Sequence, residues 1–341
     1  MSGVVQNTWV WEPAAYLFLG GLAGGTFLVV ALIRFLSKDS FPKVTVVGSW
    51  ISTVALIVGL LLLVVDLAKP LKAMMMWESF VNFNSWMTIG AWLLFVAVVF
   101  MGVCSVFSTS KLVAVMESFC KPLAKAAGRI SKASMIAGAV CGFGVAAYTG
   151  VLLWNAHGIP LWDTPLLPAL FTVSALDAGA NVALAILLFE KSKKAGAAVR
   201  KLDFSLIGLI TLEACVLFAL LFTHMQGNAS QVLSANTLLC GELSMQFWSL
   251  VVVIGLVVPL VLTTLDLFKV VRNEELTRMV HFVAIACALV GGFTLRFVIL
   301  TGGMYATLVS PDRAEALAQR ILTYYAQRYE QTFRMLAGTE V

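Results

Sequence analysis

Residues 14–36, AAYLFLGGLAGGTFLVVALIRFL, and residues 44–65, VTVVGSWISTVALIVGLLLLVV, are two apolar runs joined by the short basic stretch SKDSFPK. Crossing a hydrocarbon core about 30 Å thick takes roughly 20 residues of helix. Each run is long enough, and the joint leaves room only for a turn between antiparallel neighbours. Six further runs of the same kind follow, over about 85–107, 132–154, 166–189, 204–224, 246–268 and 279–300. The expected fold is all-α: an integral membrane protein with eight transmembrane helices.

The loops set the expected orientation. Arg34, Lys38 and Lys43 flank the first joint. Lys111, Lys121, Lys125, Arg129 and Lys132 lie between the third and fourth runs. Lys191, Lys193, Lys194, Arg200 and Lys201 lie between the fifth and sixth, and Lys269, Arg272 and Arg278 between the seventh and eighth. That puts 16 of the 23 basic residues on one side, against Lys69 and Lys72 in the loops of the other. Basic loops stay in the cytoplasm, so both termini are expected outside. The first run is too long for the apolar core of a cleavable signal and has no basic residue before it, so it reads as a retained helix.

Composition agrees: 60% of residues are hydrophobic and 12% charged, far from the averages of soluble domains. The net charge of +5 is accounted for by cytoplasmic loops facing an anionic leaflet, and gives no reason to invoke nucleic acid. Residues 1–303 are expected to form one membrane domain of two packed four-helix groups, 14–154 and 166–300. Residues 304–341 read as an extracytoplasmic helical tail, with Ala314, Leu317, Ile321, Tyr325 and Phe333 at helical spacings.

The six cysteines are scattered and form no CxxC pair, so an iron–sulfur cluster is not expected in this chain. The three histidines offer no facing pair for a haem. His157 and His224 fall near the outer ends of their helices, as interfacial residues near water. His281 falls at the inner end of the last. No metal site is expected.

Charged groups inside the bilayer stand out, since each costs roughly 2.5–3.5 kcal/mol at the centre of a lone helix. Asp177 and Glu213 lie near the middle of their runs, and Arg296 lies about a turn from the outer end of the last. Such acids either glue helices together, with Asn181 as a neighbour, or carry protons or ions. Arg296 either pairs with one of them or reaches the outer interface. Asp66 and Asp266 end their runs, where the interface is close.

A second polar group gathers toward the outer ends of the first four runs: Glu12 and Tyr16, Asp66, Asn84, and Tyr148. The tryptophans nearby, Trp11, Trp77, Trp86 and Trp154, read as an interfacial belt. Tyr148 lies below that belt, where a phenol needs a hydrogen-bond partner. The glycines of the first run (Gly20, Gly21, Gly24 and Gly25) make a smooth face suited to close helix approach.

Seven strings in order carry a family resemblance: Tyr16-Leu-Phe-Leu-Gly-Gly-Leu-Ala-Gly-Gly25, Asp66-Leu-Ala-Lys-Pro70, Asn82-Phe-Asn-Ser-Trp-Met87, Tyr148-Thr-Gly-Val-Leu-Leu153, Pro165-Leu-Leu-Pro168, Phe247-Trp248 with Gly255-Leu-Val-Val-Pro259, and Gly291-Gly-Phe-Thr-Leu-Arg296. In these the sequence resembles the NrfD/PsrC family, the membrane subunits of polysulfide-reductase-like respiratory complexes. The resemblance implies two four-helix bundles with no haem or iron–sulfur cluster of their own, and an exchangeable menaquinone or other quinone near the outer face of the first bundle. It also implies an iron–sulfur partner subunit with a molybdopterin or cytochrome catalytic subunit behind it, in a bacterial or archaeal cytoplasmic membrane. Tyr148 matches the family's quinone-binding tyrosine. Asp66 is the next candidate, with Asn84 also in a matched string. Glu12 and Tyr16 stand where some relatives have Asn and His. No family role carries onto Asp177. The competing expectation is a cation- or proton-coupled secondary transporter using Asp177 and Glu213, although no paired interrupted helices mark a midplane site.

Overall fold

The computed structural model describes residues 11–66, 85–156, 158–190, 192, 194–268 and 273–303, with 319, 320, 322, 323 and 325 beyond them. Among these residues no strand occurs. Eight helices are long and apolar enough to cross a membrane: α1 (Trp11–Leu36), α2 (Pro42–Asp66), α3 (Trp86–Ser108), α5 (Lys121–Trp154), α6 (Leu166–Leu187), α7 (Ala195–Met225), α9 (Ser244–Leu267) and α10 (Glu274–Thr301). Two short helices, α4 (Ser110–Phe119) and α8 (Ala229–Leu239), sit between spans.

Helices outrun the apolar segments at one end. α5 begins at Lys121 rather than near 132, and α7 at Ala195 rather than near 204. Hydropathy marks where a helix meets lipid. Lys, Arg and Ala have high helix propensity, so the backbone stays helical beyond that boundary. α8 begins with a capping box: the Asn228 side chain accepts from the Gln231 N–H at 3.0 Å, and the Gln231 side chain accepts from the Asn228 N–H at 2.9 Å. Two backbone donors that the first turn leaves unpaired are thereby satisfied.

α1 is the hub, packing against α2, α5, α6 and α10. Its glycines make this possible. A side chain on Gly24 would run into the backbone of Gly142 in α5, and one on Gly25 into Ala175 of α6. Gly179 of α6 abuts Gly25 in turn. Without a hydrophobic drive between helices in lipid, such backbone contact is what holds spans together. Gly255 of α9 and Gly291 of α10 meet in the same way.

Phe247–Val257 of α9 is wound as a π-helix, with the Val258 N–H bonding to the Val253 carbonyl five residues back. Pro259, which has no N–H to give, stands just inside the α-helical remainder. An α ladder could not run unbroken through it.

Two apolar clusters form the interior. One surrounds Phe27, Val30, Met101, Met135, Leu184 and Leu206. The other surrounds Leu17, Leu153, Trp162, Phe171, Leu220 and Phe247. Along α1, α6, α7 and α10 they lie at opposite ends, separated by a polar layer. Of the C-terminal tail, Gln319, Arg320, Leu322, Thr323 and Tyr325 are helical and exposed. Ala314, Leu317, Ile321 and Phe333 lie outside the described residues.

Candidate functional site

The start of α1, the end of α2, the start of α3 and the end of α5 share one end of the helix stack, as antiparallel neighbours do. Tyr148 of α5 lies over Gly90 of α3, where a side chain on Gly90 would overlap the phenol ring. Its hydroxyl donates to the Trp86 carbonyl at 3.1 Å. Tyr16 of α1 is within electrostatic reach of both Asp66 and Tyr148, and Asp66 within reach of Glu12. Four of the five residues expected at a quinone site thus lie at this one end of the helix stack. Asn84 lies outside the described residues, as do Trp77 and His157.

The arrangement offers a phenol that can give or accept a hydrogen bond and a carboxyl, Asp66, exposed at the helix end. The Tyr148 hydrogen is held by Trp86 O, so an incoming carbonyl would have to take it over, while the phenol oxygen keeps lone pairs free. Trp11, Trp86 and Trp154 are all exposed at this end, as an interfacial belt requires.

The polar layer holds Asp177, Glu213 and Arg296 together. Arg296 is 0% exposed. Its guanidinium donates to the carbonyls of Gly292 at 2.8 Å and Phe171 at 3.4 Å, and to the Ser174 hydroxyl at 3.2 Å. The rings of Phe171 and Phe18 lie 5.0 and 5.6 Å from its carbon. Ser174 also faces the Glu213 carboxyl, and Glu213 and Asp177 feel each other's charge. Asn181 donates to the Asp177 side chain at 3.2 Å and to its carbonyl at 3.0 Å. Of the two sequence expectations for Arg296, the structure excludes reach to the outer interface: the side chain turns inward, into the layer its carbonyl and hydroxyl partners line.

His224 departs from its expected place near water. It is buried, with its ring nitrogens 2.7 Å from the Leu220 carbonyl and 3.2 Å from that of Pro160. The Pro160 loop folds over the helix end and covers it.

One constellation escaped sequence reasoning. Asp203 of α7, Asp266 of α9 and His281 of α10 bring one ligand atom each within 4.8 Å of one another. Asp266 and His281 were legible as ends of adjacent spans. Asp203 was not, because it lies where α7 runs past its apolar segment. A cavity of about 620 Å³ opens at the far end of α1 from Tyr16, lined by Leu32, Leu36, Ala180, Leu187, Lys194 and Lys201 among others. It is separate from the Tyr148 cluster.

Residues 3–307 match the family described as "Polysulphide reductase, NrfD". The sequence is 33% identical over 308 residues to the C subunit of polysulfide reductase from Wolinella succinogenes, covering 86% of this protein and 94% of the relative. Similarity extends to the NrfD protein of Escherichia coli, 27% identical over 311 residues, and to an NrfD homolog of Haemophilus influenzae, 26% over 314. These two alignments likewise cover 86% of this protein and 94% of the relative.

Proposed function

The chain belongs to the polysulphide reductase NrfD family, and on that premise we propose that it is the quinol-reactive membrane subunit of a respiratory oxidoreductase. It exchanges electrons between menaquinol, or another quinol, and an iron–sulfur partner subunit, which relays them to or from a molybdopterin or cytochrome catalytic subunit. The observation that carries this reading is the meeting of Glu12, Tyr16, Asp66 and Tyr148 at one end of α1, α2 and α5. A quinone needs an apolar slot open to lipid, a donor for its carbonyl oxygen and a proton acceptor. Tyr148 supplies the donor, and Asp66 or Glu12 exchanges the proton at the helix ends.

Under this proposal the first four spans and the last four act as two four-helix bundles within residues 1–303. Both termini face outside, in a bacterial or archaeal cytoplasmic membrane, and the partner docks on the outer face. Residues 304–341 lie on that side. The layer of Asp177, Glu213 and Arg296 couples turnover to proton movement. The alternative, a secondary transporter, draws on the same layer, which could hold a cation without any partner subunit.

The test is quinol titration of the purified native complex with identification of the co-purifying proteins. Saturable quinol-linked electron transfer supports the proposal. A protein that purifies alone, ignores quinol and moves ions in liposomes would replace it with the transporter.

A further inference from the structure

We propose that Asp203, Asp266 and His281 form a binding site for one divalent transition cation of the zinc class, which fastens α7, α9 and α10 together. This does not depend on the quinone reading. The site lies in the other half of the molecule from Tyr148.

The imidazole is the first argument. His281 Nδ1 lies 2.9 Å from the Thr277 carbonyl. A carbonyl only accepts, so Nδ1 carries the hydrogen and Nε2 points away as the free ring atom. A ring nitrogen oriented by a backbone carbonyl on its other side is the usual condition of a metal-ligating histidine. Nε2 faces Asp203 Oδ1 at 3.3 Å and Asp266 Oδ2 at 3.5 Å.

Those distances suit a metal between the groups better than a proton. A protonated ring bridging to a carboxylate makes a bond of about 2.7–2.9 Å. Here both contacts are longer, at 3.3 and 3.5 Å, and neither Nε2 nor Asp203 Oδ1 has a hydrogen bond of good geometry. Ligand atoms about 2.0–2.1 Å from a tetrahedral zinc are about 3.3–3.4 Å from one another, close to the 3.3 and 3.5 Å of the two imidazole–carboxylate pairs. The third pair, between the two aspartates, closes within 4.8 Å.

Burial and charge point the same way. The Asp203 and His281 side chains are 1% and 3% exposed, and Asp266 16%. One buried carboxylate and one half-buried beside it are costly unless compensated. An imidazolium would leave one negative charge over, whereas a divalent cation on a neutral imidazole leaves none. The mixed nitrogen and oxygen set favours a transition ion over magnesium or calcium, which take oxygen. Asp266, the most exposed of the three, marks the way in.

The test is metal analysis of the full-length purified protein after dialysis, followed by chelation and titration with Co²⁺. The expected result is about one zinc per molecule and, with cobalt, the intense visible bands of a tetrahedral centre. Both should be absent in Asp203→Asn and His281→Gln. Zinc added to the stripped wild type should raise its unfolding temperature. Wild-type protein without stoichiometric metal and without cobalt bands would overturn the proposal, leaving a His–Asp ion cluster. Metal retained in full by Asp203→Asn would overturn it as well, by placing the ion elsewhere. Because the wild-type measurement is decisive alone, a variant that fails to fold does not rescue it.

Discussion

The phenol of Tyr148 occupies the space that a side chain at residue 90 would need, and Gly90 leaves it free. This one contact sets the position of the hydroxyl that reaches Trp86 O and joins α5 to α3. Tyr148→Phe keeps the ring and removes one hydroxyl. A hydrogen bond is worth about 1 kcal/mol net, so quinol-linked turnover is expected to fall about fivefold with the complex assembled. Gly90→Ala keeps the hydroxyl but displaces the ring, and should lower turnover at least as much. Quinol titration of the two assembled variants checks both. Wild-type rates and quinol affinity in Tyr148→Phe would refute a role for the phenol.

Gly21 is a sharper case of close approach. A Cβ there would stand 2.9 Å from Arg296 Nη2 and 3.3 Å from the Ala175 Cβ. The guanidinium is held by three partners and cannot retreat cheaply. Gly21→Ala is expected to destabilise the protein by about 1–3 kcal/mol, the range for an overfilled interior. Gly128 and Gly208 lie in helices with nothing within 4 Å of such a Cβ, so alanine there should be neutral or stabilising by up to about 1 kcal/mol. Thermal unfolding in one detergent compares all three. Equal effects would mean that the Arg296 pocket is looser than its contacts imply.

The polar layer gives opposite expectations for its cation and its acid. Arg296→Met removes the positive charge that Glu213 feels and the guanidinium donor to the Gly292 and Phe171 carbonyls. Breaking a buried charge pair from one side typically costs about 3–5 kcal/mol, so this variant should yield little folded protein. Glu213→Gln keeps the shape and still offers Ser174 a partner. It should assemble normally and slow proton-coupled turnover several-fold. Proton uptake measured alongside quinol oxidation distinguishes relay from glue. Unchanged turnover in Glu213→Gln would leave the acid a structural role only.

How far the sequence could be read depended on range. The eight spans were legible because hydropathy reports the membrane locally, residue by residue. The small-residue face of α1 was legible too, and its partners Gly142 and Gly179 could be known only once α5 and α6 were placed. Asp177, Glu213 and Arg296 stood out singly through their cost in lipid, and their meeting is a tertiary fact. Asp203 was invisible for a different reason. Past the apolar segment a charged residue looks like ordinary loop, and only the long start of α7 carries it against His281. The π-winding of Phe247–Val257 leaves no local mark beyond Pro259. The start of α8 did carry a signal, Asn228 three residues before Gln231, that hydropathy alone passes over.

Asp39 offers a pH test outside the membrane. It sits with Lys38 in a left-handed turn between α1 and α2, at φ of 61° and 52°. Its carboxylate takes Arg34 Nε at 2.6 Å and Lys132 Nζ at 3.1 Å, so it ties this turn to α5. The Arg34 hydrogen bond above all, with Lys132 behind it, holds its pKa below the ordinary 3.8. A depressed carboxyl adds stability that is present above its unfolded value and lost as pH falls through the folded one. Wild-type protein should therefore lose this contribution only in acid, below about pH 4, the ordinary carboxyl range. Asp39→Asn is the matched control. Asn tolerates the left-handed conformation, so the turn keeps its shape while the charge goes. Unfolding temperature against pH should differ between the two proteins at neutral pH and converge in acid. The side chain is 46% exposed, so the neutral-pH difference should be small and should shrink further in high salt. A gap that persists undiminished in acid would show that Asn disturbs the turn itself, and that the ion pairs contribute nothing measurable.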